Sequence, residues 1–245
     1  MYGVIARTRA LIGSTIDDQM RSPDTPRWRV ARVMQRLRVS IRSMAEPAVE
    51  KIAEEEQSDP FKVLIATMLS AQTRDPVTLE ASKRLFTRAG GPREMAGLRV
   101  TTLERLIYPV SFYRDKARHV KRTCRRLLDL HGGQVPITMP ELIALPGVGR
   151  KTANLVRIVA HRSDENICVD THVHRISNRL GWVKTRTPDE TEQELYRVSS
   201  RRWWPLINLY LVTWGQNVCR PVYPACGRCA ISSLCPRIGV GKRGK

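Results

Sequence analysis

Lys151 is the residue of this chain best placed to act as a nucleophile. It ends the run Leu145-Pro-Gly-Val-Gly-Arg-Lys151, where Pro146, Gly147 and Gly149 crowd between two helix-like patterns, the composition of a tight hairpin joining helices. Such a hairpin exposes main-chain N–H groups, and its glycines keep β-carbons out of the way. With the positive end of the next helix dipole added, the turn suits one phosphate and ignores base sequence. Lys151 falls in the first turn of that next helix, expected from Arg150 to about Ala160, where the dipole and Arg150 both disfavour a charged ammonium. A neutral amine is a nucleophile. From position alone the simpler use, one more cation on a phosphate, is the commoner one beside such a loop. Asp170, in Val169-Asp-Thr-His-Val-His-Arg175, could serve the same chemistry or simply cap the helix that follows.

A second constellation is inorganic. Cys219, Cys226, Cys229 and Cys235 fall within seventeen residues, separated by six, two and five. No secretory signal precedes them, and a chain of this size needs no disulfide staples, so metal ligation fits better than two disulfides. Thiolates so close repel one another unless a cation or cluster neutralises them, which makes the site and the folding of this tail one event. Zinc usually takes two close pairs; one pair with two outliers leans towards an iron–sulfur cluster without deciding the matter. Cys124 and Cys168 sit alone in apolar patterns and read as buried thiols.

The whole chain carries the charge such sites would use. Lys and Arg total 42 against 23 Asp and Glu in 245 residues, a net +19, which calls for a polyanionic partner. No apolar run approaches the roughly eighteen residues of a membrane span, so nucleic acid is favoured over a lipid surface. An apolar fraction of 42% is ordinary for a globular protein. Residues 1–50 hold nine Arg, no Lys and five acids, a weak match to a mitochondrial leader.

The elements that must position these residues read as helices throughout. Residues 1–27 have little to pack and read as a loose extension. From Val30 the apolar positions Val33, Met34, Leu37, Ile41 and Met44 recur at helical spacing. Asp59-Pro60 and Asp75-Pro76 are start signals, the first opening an apolar, buried helix that leads into Ala71-Gln72-Thr73-Arg74. Capping boxes pair Thr101 with Glu104, Thr138 with Glu141 and Thr187 with Glu190. Between the first two runs a basic helix, Lys116 to His131, with Ala117, Val120, Cys124, Leu127 and Leu128 as its apolar stripe. A last apolar helix, rich in tryptophan expected to pack in a core, ends at Gly215. Strand signals are scarce, so the fold class is all-α.

Together, Leu145-Pro-Gly-Val-Gly-Arg-Lys-Thr-Ala-Asn154, Val169-Asp-Thr-His172, Met68-Leu-Ser-Ala-Gln-Thr73 and the cysteine spacing resemble the endonuclease III family of helix-hairpin-helix DNA glycosylases, over residues 30–238. The resemblance implies a two-lobed fold: a six-helix barrel over 53–163, and a lobe of 28–52 with 164–238 that holds a 4Fe-4S cluster on the four cysteines. A basic tail, 239–245, follows. It implies Lys151 and Asp170 as catalytic residues, and Gly147, Val148, Gly149 and Arg150 as the DNA-gripping hairpin. Gln72 matches the position that fills the gap left by an extruded base, and Phe112 an apolar wedge that is Leu in the bacterial enzyme, with Ser111 before it in place of Gly. The implied activity is bifunctional base excision: removal of oxidised pyrimidines through a lysine Schiff base, then nicking by β-elimination. The implied partner is duplex DNA with a damaged base or abasic site, bound by a monomer without membrane involvement. The expected location is the cytoplasm, associated with the nucleoid, in a prokaryote, or the nucleus or mitochondrion in a eukaryote. Two rivals remain: a mismatch glycosylase that removes thymine or adenine without cutting, and a DNA-binding protein with no catalysis.

Overall fold

The computed structural model describes residues 25–241 and 244, so the expectations for residues 1–24 and for Lys242, Arg243 and Lys245 lie outside it. Among the described residues there are twelve α-helices and no strand, which agrees with the all-α expectation. No described helix is long and apolar enough to cross a membrane. The chain divides into two compact units: Pro47–Ser163 is one, and the described residues up to Glu46 join those from Asp164 onward in the other.

The unit formed by Pro47–Ser163 holds α2 (Ala48–Glu55), α3 (Pro60–Ser70), α4 (Asp75–Arg88), α5 (Pro92–Gly97), α6 (Val100–Ile107), α7 (Tyr113–His131), α8 (Met139–Ile143) and α9 (Arg150–Val159). The barrel boundary expected at residue 53 would cut α2, which packs whole on α3 and α4. α3 is buried almost all round, Phe61 to Leu69, as its unbroken apolar run requires. Asp59 caps it, accepting Lys62 N–H at 3.0 Å. Asp75 does not cap its own helix: it is the first helical residue of α4, and its Oδ2 accepts Ala48 N–H at 2.9 Å, serving the start of α2 instead. Of the three capping boxes, Thr138 and Thr187 cap as expected. Thr101 does not, because α6 begins at Val100 with Arg99 before it.

The other unit holds α1 (Pro26–Ser40), α10 (Thr171–Arg179), α11 (Pro188–Val198), α12 (Trp204–Asn217) and the cysteine tail. α1 starts one residue before the expected end of the loose extension, because Thr25 accepts Trp28 N–H and Pro26 takes the first helical position. Its stripe, Val30, Val33, Met34 and Leu37, enters one core with Ile176, Leu195, Trp203, Ile207, Leu211 and Trp214. Each such side chain withdrawn from water contributes about 1.5–3 kcal/mol before entropy is set against it. Gly215 does not end α12, which runs to Asn217. It lets α10 pass: a β-carbon there would stand 2.3 Å from His172 Nδ1 and 3.0 Å from Arg175 Nη2.

Candidate active site and DNA interface

The hairpin joins α8 to α9 in the Pro47–Ser163 unit. Gly147 adopts φ +80°, and a β-carbon there would meet His119 Cβ of α7 at 2.8 Å. One turn along α7, Thr123 Oγ1 donates to the Pro146 carbonyl at 2.7 Å. Val148 is buried, and its N–H donates to the Leu145 carbonyl at 3.1 Å. Gly149 differs from Gly147. It is the N-cap of α9 in extended conformation, with nothing within 4 Å of where a β-carbon would stand. Gly147 therefore serves the packing of the hairpin on α7, while Gly149 keeps open space before a helix N-terminus. That open space faces main-chain N–H groups and exposed Arg150, the arrangement that accepts a phosphate.

α9 buries Thr152, Ala153, Asn154, Leu155 and Val156 and packs on α3 and α8, which fixes its roll. Lys151, at its second position, is half-buried.

Gln72 and Phe112 belong to the same unit and share an uncommon backbone. Both lie in the left-handed region, φ +54° and +55°, where a side chain costs about 1 kcal/mol or more. Both are exposed, Phe112 to 63%, a large apolar ring offered to solvent at the N-cap of α7. Strain of this kind clusters at sites that grip ligands.

Asp170 belongs to the other unit, as the N-cap of α10. Its Oδ1 accepts His172 N–H at 2.8 Å and Val173 N–H at 2.9 Å, so the capping use open in the sequence is realised. Oδ2 takes no part in either bond. The approach to Asp170 is held by Asn208 of α12, whose Nδ2 donates to the Cys168 carbonyl at 3.1 Å, and by Tyr196, whose hydroxyl accepts Ile167 N–H at 3.0 Å.

Cys219, Cys226, Cys229 and Cys235 are free thiols that line one cavity with Ile176, Leu180, Trp214, Val218 and Ile231. Cys124 and Cys168 are buried elsewhere, as expected, and burial pushes the Cys124 thiol up to about 12. Burial first, and then neighbouring cysteines, push the Cys229 and Cys235 thiols up, the repulsion that a bound cationic cluster would relieve. Among the described residues no three His, Cys, Asp or Glu converge to hold a single metal ion. Four sulfurs around one apolar-walled cavity, with a buried Arg237 Nε that has no hydrogen-bond partner, fit a larger thiolate-bound cluster.

Sequence reading missed the brackets of this tail. Arg179 donates to Cys219 Sγ at 3.4 Å, the Arg220 carbonyl at 2.7 Å and the Pro221 carbonyl at 2.8 Å. Arg36 reaches from α1 to Ser233 Oγ at 2.8 Å. Arg179 shares the face of Ile176 and Leu180, and that register was its only signal.

Residues 65–201 match the family described as HhH-GPD superfamily base excision DNA repair protein. Endonuclease III of Thermotoga maritima is 46% identical over 179 residues, which cover 73% of this chain and 84% of the relative. The chain belongs to the endonuclease III family. Among solved structures of the family, a non-covalent endonuclease III–DNA complex matches with a TM-score of 0.77 at 31% identity, covering 86% of this chain and 95% of that one. A trapped endonuclease III–DNA covalent intermediate matches with a TM-score of 0.69 at 34% identity, over 78% and 93% of the two chains. The segment matching the family takes in Gln72, Phe112, the hairpin, Lys151 and Asp170, while the cysteine tail lies beyond it.

Proposed function

We propose that the protein is a bifunctional DNA glycosylase and abasic-site lyase of base excision repair, acting as a monomer on oxidised pyrimidines in duplex DNA. The observation that carries this reading is a half-buried lysine directly behind a phosphate-accepting hairpin, in a chain 34% identical to one trapped as a covalent DNA intermediate.

The chemistry follows from what each group can do. A stacked base cannot be reached, so the damaged nucleotide swings out, which is cheapest where pairing is already weak. Phe112 and Gln72 fill the vacated space. The Lys151 amine attacks the sugar C1′; the glycosidic bond breaks, its electron pair leaves with the base, and the base takes up a proton. Opening of the sugar ring turns the C1′–N bond into an iminium, the Schiff base available to a lysine nucleophile. Loss of a C2′ proton then expels the 3′ phosphate by β-elimination, and water releases Lys151 from the remaining aldehyde. The Asp170 carboxylate offsets positive charge developing on the sugar and takes part in the proton movements at the amine. The four cysteines would hold a 4Fe-4S cluster, which would supply a rigid scaffold for the tail.

The presence of Lys151 disfavours the mismatch reading, since an enzyme that only releases a base needs no amine in covalent reach. Incubation with a duplex carrying one oxidised pyrimidine, with separate measurement of free base and of strand cleavage, tests the assignment. Base release coupled to nicking is expected. Base release alone would select the mismatch enzyme, and binding with neither product would leave a non-catalytic protein.

A further inference from the structure

Lys116 sits in the first turn of α7, where a row of basic residues would suggest a surface cation, yet it is buried. Its Nζ lies 2.8 Å from the Leu69 carbonyl, 2.5 Å from the Ala71 carbonyl and 3.2 Å from Thr73 Oγ1. An ammonium carries three N–H groups, and here three oxygens accept them. Thr73 Oγ1 also accepts Ser111 N–H at 3.3 Å and donates to the Ala71 carbonyl at 3.3 Å. A hydroxyl has one proton to give and two lone pairs to fill, so this network is closed. The far side of the 108–112 loop is held independently: Arg84 donates from Nε to the Leu106 carbonyl at 3.0 Å and from Nη2 to the Tyr108 carbonyl.

The two loops joined by this network carry Gln72 and Phe112, both strained and both exposed. Lys116 itself cannot meet a phosphate, since its charge is spent inward on the chain's own carbonyls. We propose that Lys116, through Thr73, is a positioning residue that locks the 71–73 and 111–112 loops into one rigid element, so that Gln72 and Phe112 enter the duplex together. The proposal rests on the reading of Gln72 and Phe112 as the residues that fill the stack. A neutral or shorter side chain at 116 would leave carbonyls unpaired and let each loop relax out of its left-handed conformation separately.

The test uses the full chain and two substrates: a duplex with an oxidised pyrimidine beside a fluorescent 2-aminopurine, and a single strand with an abasic site, which has no stack to open. Lys116→Met and Thr73→Val should each lower the ratio of duplex base release to single-strand nicking by about 100-fold, the scale set by a misplacement of about 1 Å. They should also delay the 2-aminopurine signal that reports unstacking. Gln72→Ala and Phe112→Ala should lower the same ratio. If those two do and neither Lys116→Met nor Thr73→Val does, or if the latter lower both activities equally, the clamp is overturned. If Gln72→Ala and Phe112→Ala leave the ratio unchanged, the stack-filling reading fails and the clamp falls with it.

Discussion

Gly147 lies so close to His119 that a methyl group on it would stand 2.8 Å from His119 Cβ, whereas Gly149, two residues on, has open space around the same position. Glycines two apart in one hairpin thus answer to different partners. Gly147→Ala should destabilise the fold by about 1–3 kcal/mol, from the left-handed backbone and the clash together. Gly149→Ala meets no atom of the protein and should cost only the N-cap preference of Gly over Ala, about 0.5–1 kcal/mol, and yet weaken DNA binding. Thermal unfolding beside a DNA titration separates them; equal losses of stability would refute the division.

Asp170 both caps α10 and is proposed to act in the chemistry, and two substitutions part these roles. Asn caps as well as Asp, so Asp170→Asn should hold stability, whereas Asp170→Ala should cost about 1 kcal/mol. Both should lower turnover by about 100-fold or more, because both remove the charge. Full activity in Asp170→Asn would reduce Asp170 to a cap.

Removing one thiol tests the cluster. Cys226→Ser should abolish visible iron–sulfur absorbance and lower Tm by about 5 °C, the shift of about 2 kcal/mol in a chain of this size. Colourless wild-type protein with an unchanged variant would leave the four thiols as ordinary packing.

Burial pulls Lys116 from its ordinary 10.5 down to about 8. Between those values the unfolded chain holds a proton that the folded chain has released, so stability rises with pH across that window and is flat below it. Urea unfolding of wild type against Lys116→Met should show the wild type gaining ground from about pH 8 to about pH 10.5. A relative loss over the same range would contradict the burial of that amine.

Backbone chemistry was legible in the sequence where side chains were not. Pro146, Gly147 and Gly149 announced the hairpin, and Thr138 and Thr187 announced helix starts, because turns and caps are decided by a few neighbouring residues. The unbroken apolar run of α3 announced burial on every side. Lys116 and Arg179 escaped notice because a long cationic side chain reads as surface, even at stripe positions; only their registers with Val120 and with Ile176 marked them as inward. Asp75-Pro76 does mark a helix start, but the Asp75 carboxylate serves Ala48, twenty-seven residues earlier. Gly215 looked like a terminator, although what it answers to is His172 on another helix. In each case the deciding partner is distant in sequence, which local patterning cannot supply.

A covalent bond from Lys151 to the sugar is the step that joins base release to strand cleavage. Borohydride added during turnover on a duplex with an oxidised pyrimidine, followed by digestion and mass spectrometry, reads this directly. A reduced DNA adduct on Lys151, absent from a Lys151→Ala variant that still binds the duplex, is the predicted result; no adduct, or one on a different residue, would contradict it.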